Sequence, residues 1–225
     1  KKSADVQTEI IRLADFKIEP CKGCIICFDK GEQHCPHDDD RDAILEKLEQ
    51  ADGLILAVPN YAFQIPGTLK ILLDRMGYIF HRPRFFGRWF SAIVVQGVYG
   101  GKDIEKYLNF IGRGLGFNTV TGSIITTREP ISEKRAQKNK EALTKHATRY
   151  AKALTKKNLP NPGIMELMMF RMSRSGIKES LDSSYRDYSY FEEQGWMSSD
   201  FYYPVRLGLF KRLMGRIFDQ IKMPG

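Results

Sequence analysis

The fold class is decided by one stretch of the sequence, residues 51–77, which reads ADGLILAVPNYAFQIPGTLKILLDRMG. Its apolar run from Gly53 to Pro59 is bounded by Gly and Pro, which is typical of a strand that is buried on both faces of a parallel sheet. After a short loop, leucines recur at helical spacing between Gly67 and Met76. A buried strand that leads into an amphipathic helix is the repeating unit of an α/β sheet.

The same alternation continues on both sides of this stretch. Alternating apolar residues from Val6 to Leu13 predict a strand, and Arg41 to Ala51 predict a short helix. The pattern also predicts strands over 90–96 and 118–126 and helices over 103–113 and 132–157. Regular alternation with short connections predicts an α/β domain with a mostly parallel sheet.

The pattern changes at residues 158–163, NLPNPG, and continues as three helical pieces rich in Met, Tyr and Phe. We therefore divide the chain into an α/β domain, residues 1–156, and a helical C-terminal extension, residues 157–225. The last helix, predicted from Val205 to Lys222, carries seven apolar side chains on one broad face with basic residues beside it. We expect this face to pack on the domain or on a second subunit, and contact with an anionic membrane surface is the alternative.

The composition restricts the class of protein. The 225 residues are 42% hydrophobic, which is enough for a packed core, and no apolar run reaches the roughly 18 to 20 residues that span a bilayer. The first ten residues lack the apolar segment of a secretory signal, so we expect a cytoplasmic protein. The formal net charge of +8 is compatible with anionic ligands, acidic partners or nucleic acid.

All four cysteines fall within fifteen positions, as Cys21, Cys24, Cys27 and Cys35. Three cysteines at two-residue spacing can turn their thiolates towards one centre, and a fourth completes the ligands of a four-iron four-sulfur cluster. Zinc usually takes two separated pairs of ligands, although His34 and His37 keep zinc as an alternative. The third interpretation is a set of free thiols, or a redox-active CxxC pair, beside an active site.

Two loops follow buried strands, at the sheet edge where open parallel α/β sheets bind ligands. The first offers amides, side-chain carbonyls and aromatic faces to a planar heterocycle, through Pro59, Asn60, Tyr61, Ala62, Phe63 and Gln64. The second offers glycines for close backbone approach and one aromatic ring, through Gly97, Val98, Tyr99, Gly100 and Gly101. Either loop alone fits an ordinary connection, but two at neighbouring strand ends beside a cysteine cluster indicate a binding site.

Two stretches carry a family resemblance: CKGCIICFDKGEQHCPHDDD, residues 21–40, and ADGLILAVPNYAFQIPGTLKILLDRMGYIFHRPRFFG, residues 51–87. The chain resembles the flavodoxin-like NAD(P)H-dependent FMN reductase family and is particularly similar to its iron–sulfur flavoprotein branch. The resemblance covers about Val6 to Thr127. It rests on the string P-x-Y-x(5)-G-x-L-K-x(3)-D-R, from Pro59 to Arg75, and on the compact cysteine motif.

The resemblance implies a flavodoxin-like fold, a doubly wound parallel sheet in three α/β/α layers, with FMN at the strand ends. The loops 59–64 and 97–101 would hold the flavin ring, and the four cysteines would hold the cluster. NAD(P)H would reduce the FMN, and a quinone, another flavin or an iron–sulfur protein would accept the electrons. We expect a homodimer or homotetramer and no nucleic-acid partner.

One departure from the family pattern concerns the FMN phosphate. Family members begin with a strand, a G-S-x-R-type loop that holds the phosphate, and a helix, and nothing like these precedes Val6. We expect that roughly 25 to 35 native residues precede this sequence, which is enough for a strand, a loop and a helix.

The segment HRPRFFGRWF, His81 to Phe90, is basic and aromatic. We expect it to cover the flavin, face the NAD(P)H phosphates or form a subunit contact. Hydride transfer to a flavin depends on positioning, so we assign no catalytic side chain and expect His81 to be structural.

Two other functions stay open from the sequence. An electron-transfer iron–sulfur flavoprotein would relay electrons between FMN and a four-iron cluster, with no small-molecule turnover of its own. A flavin-free basic module would bind a membrane or nucleic acid.

Overall fold

A computed structural model describes residues 6–156 and 159–221 of the chain. Its described sheet has four parallel strands, namely β1 (Gly53–Pro59), β2 (Trp89–Gln96), β3 (Asn118–Thr119) and β4 (Ser123–Thr126). Strand β2 is central: Gly53 of β1 is opposite Trp89 on one side, and β3 and β4 pair with the other side. The predicted α/β fold with a parallel sheet is confirmed.

Eight α-helices lie in the described residues. They are α1 (Ile26–Asp29), α2 (Arg41–Gln50), α3 (Gly67–Arg75), α4 (Gly101–Gly114), α5 (Glu133–Leu154), α6 (Ile164–Ser180), α7 (Arg186–Glu193) and α8 (Leu209–Phe218). The first core joins α2, α3 and α4 to β2, whose Phe90, Ala92 and Val94 are fully buried. Among the described helices, none has both the length and the apolar character that crossing a bilayer requires.

The predicted strand from Val6 to Leu13 is wrong. Residues 6–12 have no regular structure, and a 3₁₀ turn follows at Leu13–Asp15. Val6 and Ile10 are 51% and 86% exposed, so the alternating apolar residues have no sheet face to pack on. A strand needs a hydrogen-bonding neighbour as well as an alternating pattern, and no described strand pairs with this segment.

Two further strand predictions need correction. Strand β1 was expected to be buried on both faces, but it is the edge of the described sheet and Ile55 is 40% exposed. The single strand over 118–126 is divided into β3 and β4, because the Gly122 amide donates to the Glu105 carboxylate (2.8 Å) instead of to a neighbouring strand.

The C-terminal region is helical, as predicted, and has its own core. Buried side chains from α6, α7, α8 and the connecting segments form it: Leu167, Phe170, Phe191, Trp196, Phe201, Leu207 and Phe218. Phe86 of the basic aromatic segment packs against this core, with its ring centre 5.1 Å from that of Tyr202. Phe86 thus connects the sheet domain to the C-terminal helices, while Phe85 and Phe90 lie in the first core.

The apolar face of the last helix is buried only in part. Helix α8 is shorter than predicted, and Lys222 lies outside the described residues. Phe218 is buried, whereas Leu209, Phe210 and Leu213 are 85%, 67% and 58% exposed. The described chain therefore covers only part of this face, and packing of the exposed part on a second subunit stays a prediction.

Because His146 of α5 is buried, we expect the free energy of unfolding to fall at acidic pH. Ser91 Oγ donates to the Val120 carbonyl (2.9 Å) and lies 2.8 Å from His146 Nε2. Burial, aided by nearby Arg149, lowers the pKa of His146. The unfolded chain therefore binds the proton more tightly, so this stabilisation is complete above the unfolded value of about 6.5 and is lost below it.

We expect the wild-type free energy of unfolding to fall more steeply than that of His146→Gln between neutral pH and about pH 5. Urea unfolding of both proteins at the two pH values measures this difference. Parallel losses in the two proteins would contradict the role given to His146, because the carboxyl groups titrate in both.

Candidate functional site

The two loops predicted from the sequence meet at the carboxyl ends of β1 and β2. The Asn60 backbone amide donates to the Val95 carbonyl (2.7 Å), which continues the pairing of the strands. Asn60 Nδ2 donates to the Tyr99 carbonyl (2.8 Å), and the rings of Phe63 and Tyr99 lie 5.0 Å apart. The loops 59–64 and 97–100 therefore form one surface, which we call the loop pair.

The first loop of the pair is a tight turn with an unusual backbone. Tyr61 and Gln64 exchange two backbone hydrogen bonds, of 3.1 and 2.9 Å. Between them, Ala62 and Phe63 have φ values of 49° and 63°, in the left-handed region that residues other than glycine rarely adopt. Such conformations cluster at active sites and ligand clamps.

The second loop approaches the first closely at a glycine with a left-handed backbone. Gly100 has φ 95°, and a Cβ atom there would lie 3.0 Å from Phe63 Cδ1 and 3.2 Å from Asn60 Nδ2. The next residue, Gly101, begins α4 and donates its amide to Gln96 Oε1 (2.7 Å). The glycines that the sequence indicated as ligand-approach residues therefore also bring the two loops together.

The surface of the loop pair suits a planar heterocycle. Tyr61, Phe63, Val98 and Tyr99 are 59–67% exposed, although such side chains are usually buried. Asn60 Oδ1 is buried without a hydrogen-bond partner among the described residues. A buried acceptor beside exposed aromatic rings fits a flat ring system that carries an N–H donor, and the ring of FMN is of this kind. Gln64 is less available to a ligand, because its Oε1 already accepts a hydrogen bond from the Ile65 amide (2.9 Å).

The four cysteines lie in one loop as free thiols, with Cys21 and Cys24 exposed and Cys27 and Cys35 half-buried. Burial is the main reason that the pKa of Cys27 is raised. Within 6–156 and 159–221, no three His, Cys, Asp or Glu side chains are arranged to hold a metal ion. Thiols are the right donors for an iron–sulfur cluster, but this conformation does not gather them into a ligand set.

Buried Arg75, at the end of α3, anchors the cysteine loop. Its guanidinium pairs with Asp39, donates to the Glu19 carbonyl (2.9 Å) and lies 3.5 Å from Cys35 Sγ. Burial alone would raise the pKa of Asp39, but hydrogen bonds from Arg75 and from the amides of Glu19 and Arg41 lower it to about 2. The Asp39 carboxylate is therefore ionised at neutral pH and holds the loop to α3.

A second arginine, Arg82, joins the cysteine loop to the C-terminal helices. Its side chain is fully buried and donates to Glu32 (2.8 Å) and to the Cys27 carbonyl (2.8 Å). It also pairs with Asp187 of α7, which lies 2.7 Å from His81 Nδ1. We call these residues the Arg82 network.

Sequence reasoning did not find either arginine. Two sequence features could have indicated them: the string that ends at Arg75, and the three arginines of HRPRFFGRWF. The prediction for the second segment was a flavin cover, a nucleotide contact or a subunit contact. In the structure Arg82 and Arg84 instead pair with Glu32 of the cysteine loop.

A family comparison decides the class of protein. Residues 1–129, more than half of the chain, match the NADPH-dependent FMN reductase family. This chain belongs to that family. The predicted family is thereby confirmed, and so is the prediction of a flavin-dependent oxidoreductase of the NAD(P)H-dependent FMN reductase type.

Curated proteins whose sequences are similar to this chain include iron–sulfur flavoproteins. One from Archaeoglobus fulgidus is 25% identical, with the alignment covering 85% of this chain and 86% of that protein. A second from the same organism is 33% identical over 53% of this chain and 58% of that protein. One from Methanosarcina thermophila is 39% identical over 33% of this chain and 38% of that protein. The last two matches each span less than two thirds of the relative.

Two solved structures have a fold similar to that of this chain. RosB, with a bound 8-demethyl-8-formylriboflavin-5'-phosphate intermediate, has a TM-score of 0.55 and 12% identity, and the match covers 90% of this chain and 78% of RosB. A flavone reductase has a TM-score of 0.50 and 15% identity, over 69% of this chain and 56% of the other. At this identity the likeness shows the flavodoxin-like α/β fold alone.

Proposed function

We propose that this chain binds FMN with the flavin ring against the loop pair, accepts hydride from NADPH and passes the electrons to a quinone, another flavin or an iron–sulfur protein. The single observation that carries the proposal is the loop pair itself. It combines a buried acceptor that has no partner in the described part of the chain with exposed aromatic rings at adjacent strand ends. FMN would supply the redox chemistry, and the chain would supply binding and orientation.

The residues of the loop pair have different tasks in this proposal. Asn60 would accept a hydrogen bond from the ring with Oδ1 while Nδ2 keeps the loops together. Tyr61, Phe63 and Tyr99 would exclude water from the faces and edges of the ring, and the strained turn at Ala62 would fix their positions. No described side chain would be needed as an acid or base, because bound FMN would supply the hydride chemistry and the chain would supply only orientation.

A pair of asparagine variants tests the placement of FMN. We expect Asn60→Ala to weaken FMN binding by about tenfold, since it removes the acceptor for the ring and the bond between the loops. Asn109→Ala is the matched control, because Asn109 on α4 also has a buried Oδ1 without a partner in the described chain. Fluorescence titration with FMN measures both, and equal affinity in the two variants would contradict the placement.

The alternative is an electron-transfer iron–sulfur flavoprotein. Its support is the cysteine string and the names of the curated relatives. Anaerobic purification followed by iron and sulfide analysis tests for the cluster, and turnover with NADPH and a quinone tests for the reductase. Bound cluster with reduction by ferredoxin and no pyridine-nucleotide turnover would favour the alternative.

We also propose that the protein forms a homo-oligomer through α8. The support is the exposed apolar face of this helix, with Leu209, Phe210, Leu213 and Ile217 each more than 40% exposed. The expected result is a dimer or tetramer by light scattering that Leu213→Glu converts to monomer, with Leu143→Glu on α5 as the control. A monomeric wild-type protein that sediments with anionic vesicles would favour a membrane contact instead.

Residues 1–156 and 157–225 are proposed to work as one folded unit. The proposal is supported by the ion pair of Arg82 with Asp187 and by the packing of Phe86 on the C-terminal aromatic core.

A further inference from the structure

A cavity of 320 Å³ lies beside the loop pair. The residues that matter for its chemistry come from the end of β2, the end of β4 and the start of α5: Gly97, Val98, Thr126, Arg128, Ser132 and Arg135. Because Gly97 and Val98 also belong to the second loop, a molecule in the cavity lies next to a ring held by the loop pair. Its volume is at the lower end of the range for ligand sites, so it suits part of a larger ligand.

The polar side chains that line the cavity are two guanidinium groups, which can only donate hydrogen bonds, and two hydroxyls, which can also donate. Arg128 and Arg135 bring two positive charges, and no carboxylate of residues 6–156 or 159–221 lines the cavity. Ser132 Oγ accepts from the Arg135 amide (3.3 Å), and Thr126 Oγ1 accepts from Gln96 (3.5 Å), which leaves both hydroxyl hydrogens free to donate. Two guanidinium groups with two hydroxyls match the oxygen atoms of a phosphate.

The charges of the two arginines are not used elsewhere in the described part of the chain. Neither side chain takes part in an ion pair there. A second cavity, of 350 Å³ beside the cysteine loop, has the opposite character, since it is lined by the carboxylates of Glu32, Asp38 and Asp42. The one arginine that lines the second cavity, Arg41, is already paired with Asp42 (2.7 Å).

We propose that the cavity at Arg128 and Arg135 binds a phosphate group of one of the two nucleotides that the proposed function requires. The inference rests on that function, because it takes its ligand from the reaction at the loop pair. Two sources share the chemistry, the phosphates of the pyridine nucleotide and the phosphate of FMN, and binding experiments with each distinguish them.

The test uses the full chain carrying Arg128→Gln and Arg135→Gln, with Lys138→Gln as the control. Lys138 is an exposed cation on the same helix that does not line the cavity. Calorimetry measures the affinity of the FMN-loaded protein for NADP⁺ and NAD⁺, and fluorescence titration measures the affinity of the apoprotein for FMN. Circular dichroism confirms that the variants fold.

We expect the double variant to lose at least about tenfold in affinity for one source, while the control changes less than twofold. A loss confined to NADP⁺ and NAD⁺ assigns the cavity to the pyridine nucleotide, and a loss confined to FMN assigns it to the flavin phosphate. Unchanged affinity for all three in the folded double variant would overturn the proposal. Wild-type protein that binds no FMN would instead be a failure of the proposed function, so the two failures are distinguishable.

Discussion

Replacing Arg82 with alanine is expected to lower the free energy of unfolding by about 3–5 kcal/mol. The guanidinium is fully buried and is shared by Glu32, the Cys27 carbonyl and Asp187. Its removal takes the guanidinium away from Asp187, which is almost fully buried and keeps only the largely exposed His81 ring as a neighbour. The cysteine loop and α7 lose their common anchor in the same step. Urea denaturation measures the loss.

Two comparisons make this prediction specific to the Arg82 network. Arg186→Ala removes a half-exposed pair with Glu193 and is expected to cost less than about 1 kcal/mol. Adding Asp187→Asn to Arg82→Ala removes the stranded charge, so the double variant should be less destabilised than the sum of the two single variants. Additive losses, or equal costs for Arg82 and Arg186, would show that the network does not join the two regions.

The second large effect is expected from Gly100→Ala, which should weaken FMN binding by at least about tenfold. The left-handed backbone costs an alanine about 1–2 kcal/mol, and its Cβ atom would press on Phe63 and Asn60. Because those two residues belong to the opposite loop, the strain separates the loop pair at the position given to the flavin ring. Fluorescence titration with FMN measures the affinity.

Gly195→Ala is the matched control for the backbone effect. Gly195 also has a positive φ, 68°, but no atom lies within 4 Å of the position of its Cβ, and it lies in the C-terminal region. We expect this variant to lose a similar amount of stability and to bind FMN as the wild type does. If both variants weaken FMN binding equally, the loss comes from global destabilisation and the close contact at Gly100 is not important.

Local patterns predicted the elements that build the site. The run from Gly53 to Pro59 and the leucines after Gly67 are sufficient for a strand and a helix, because burial and helical periodicity are properties of neighbouring residues. The parallel arrangement then requires that the loops 59–64 and 97–101 lie at the same edge of the sheet. Their direct contact through Asn60 and Tyr99 is the structural consequence.

Features that depend on distant partners were missed or predicted wrongly. The segment from Val6 to Leu13 has the pattern of a strand, but a pattern carries no information about whether a neighbouring strand is present. Arg82 lies 105 positions from its partner Asp187, and nothing local distinguishes it from the exposed arginines of the chain. Helix α8 is a similar case. Its apolar face predicts burial, but the pattern does not identify the surface that covers it.

The most direct test of the central claim is an anaerobic titration of the FMN-loaded chain with NADPH, followed by the visible absorbance of the flavin. The account predicts that the oxidised flavin band disappears as NADPH is added and that a quinone restores it, because a ring held by the loop pair can receive hydride directly. A bound flavin that stays oxidised with both NADPH and NADH, yet is reduced by dithionite, would contradict the account.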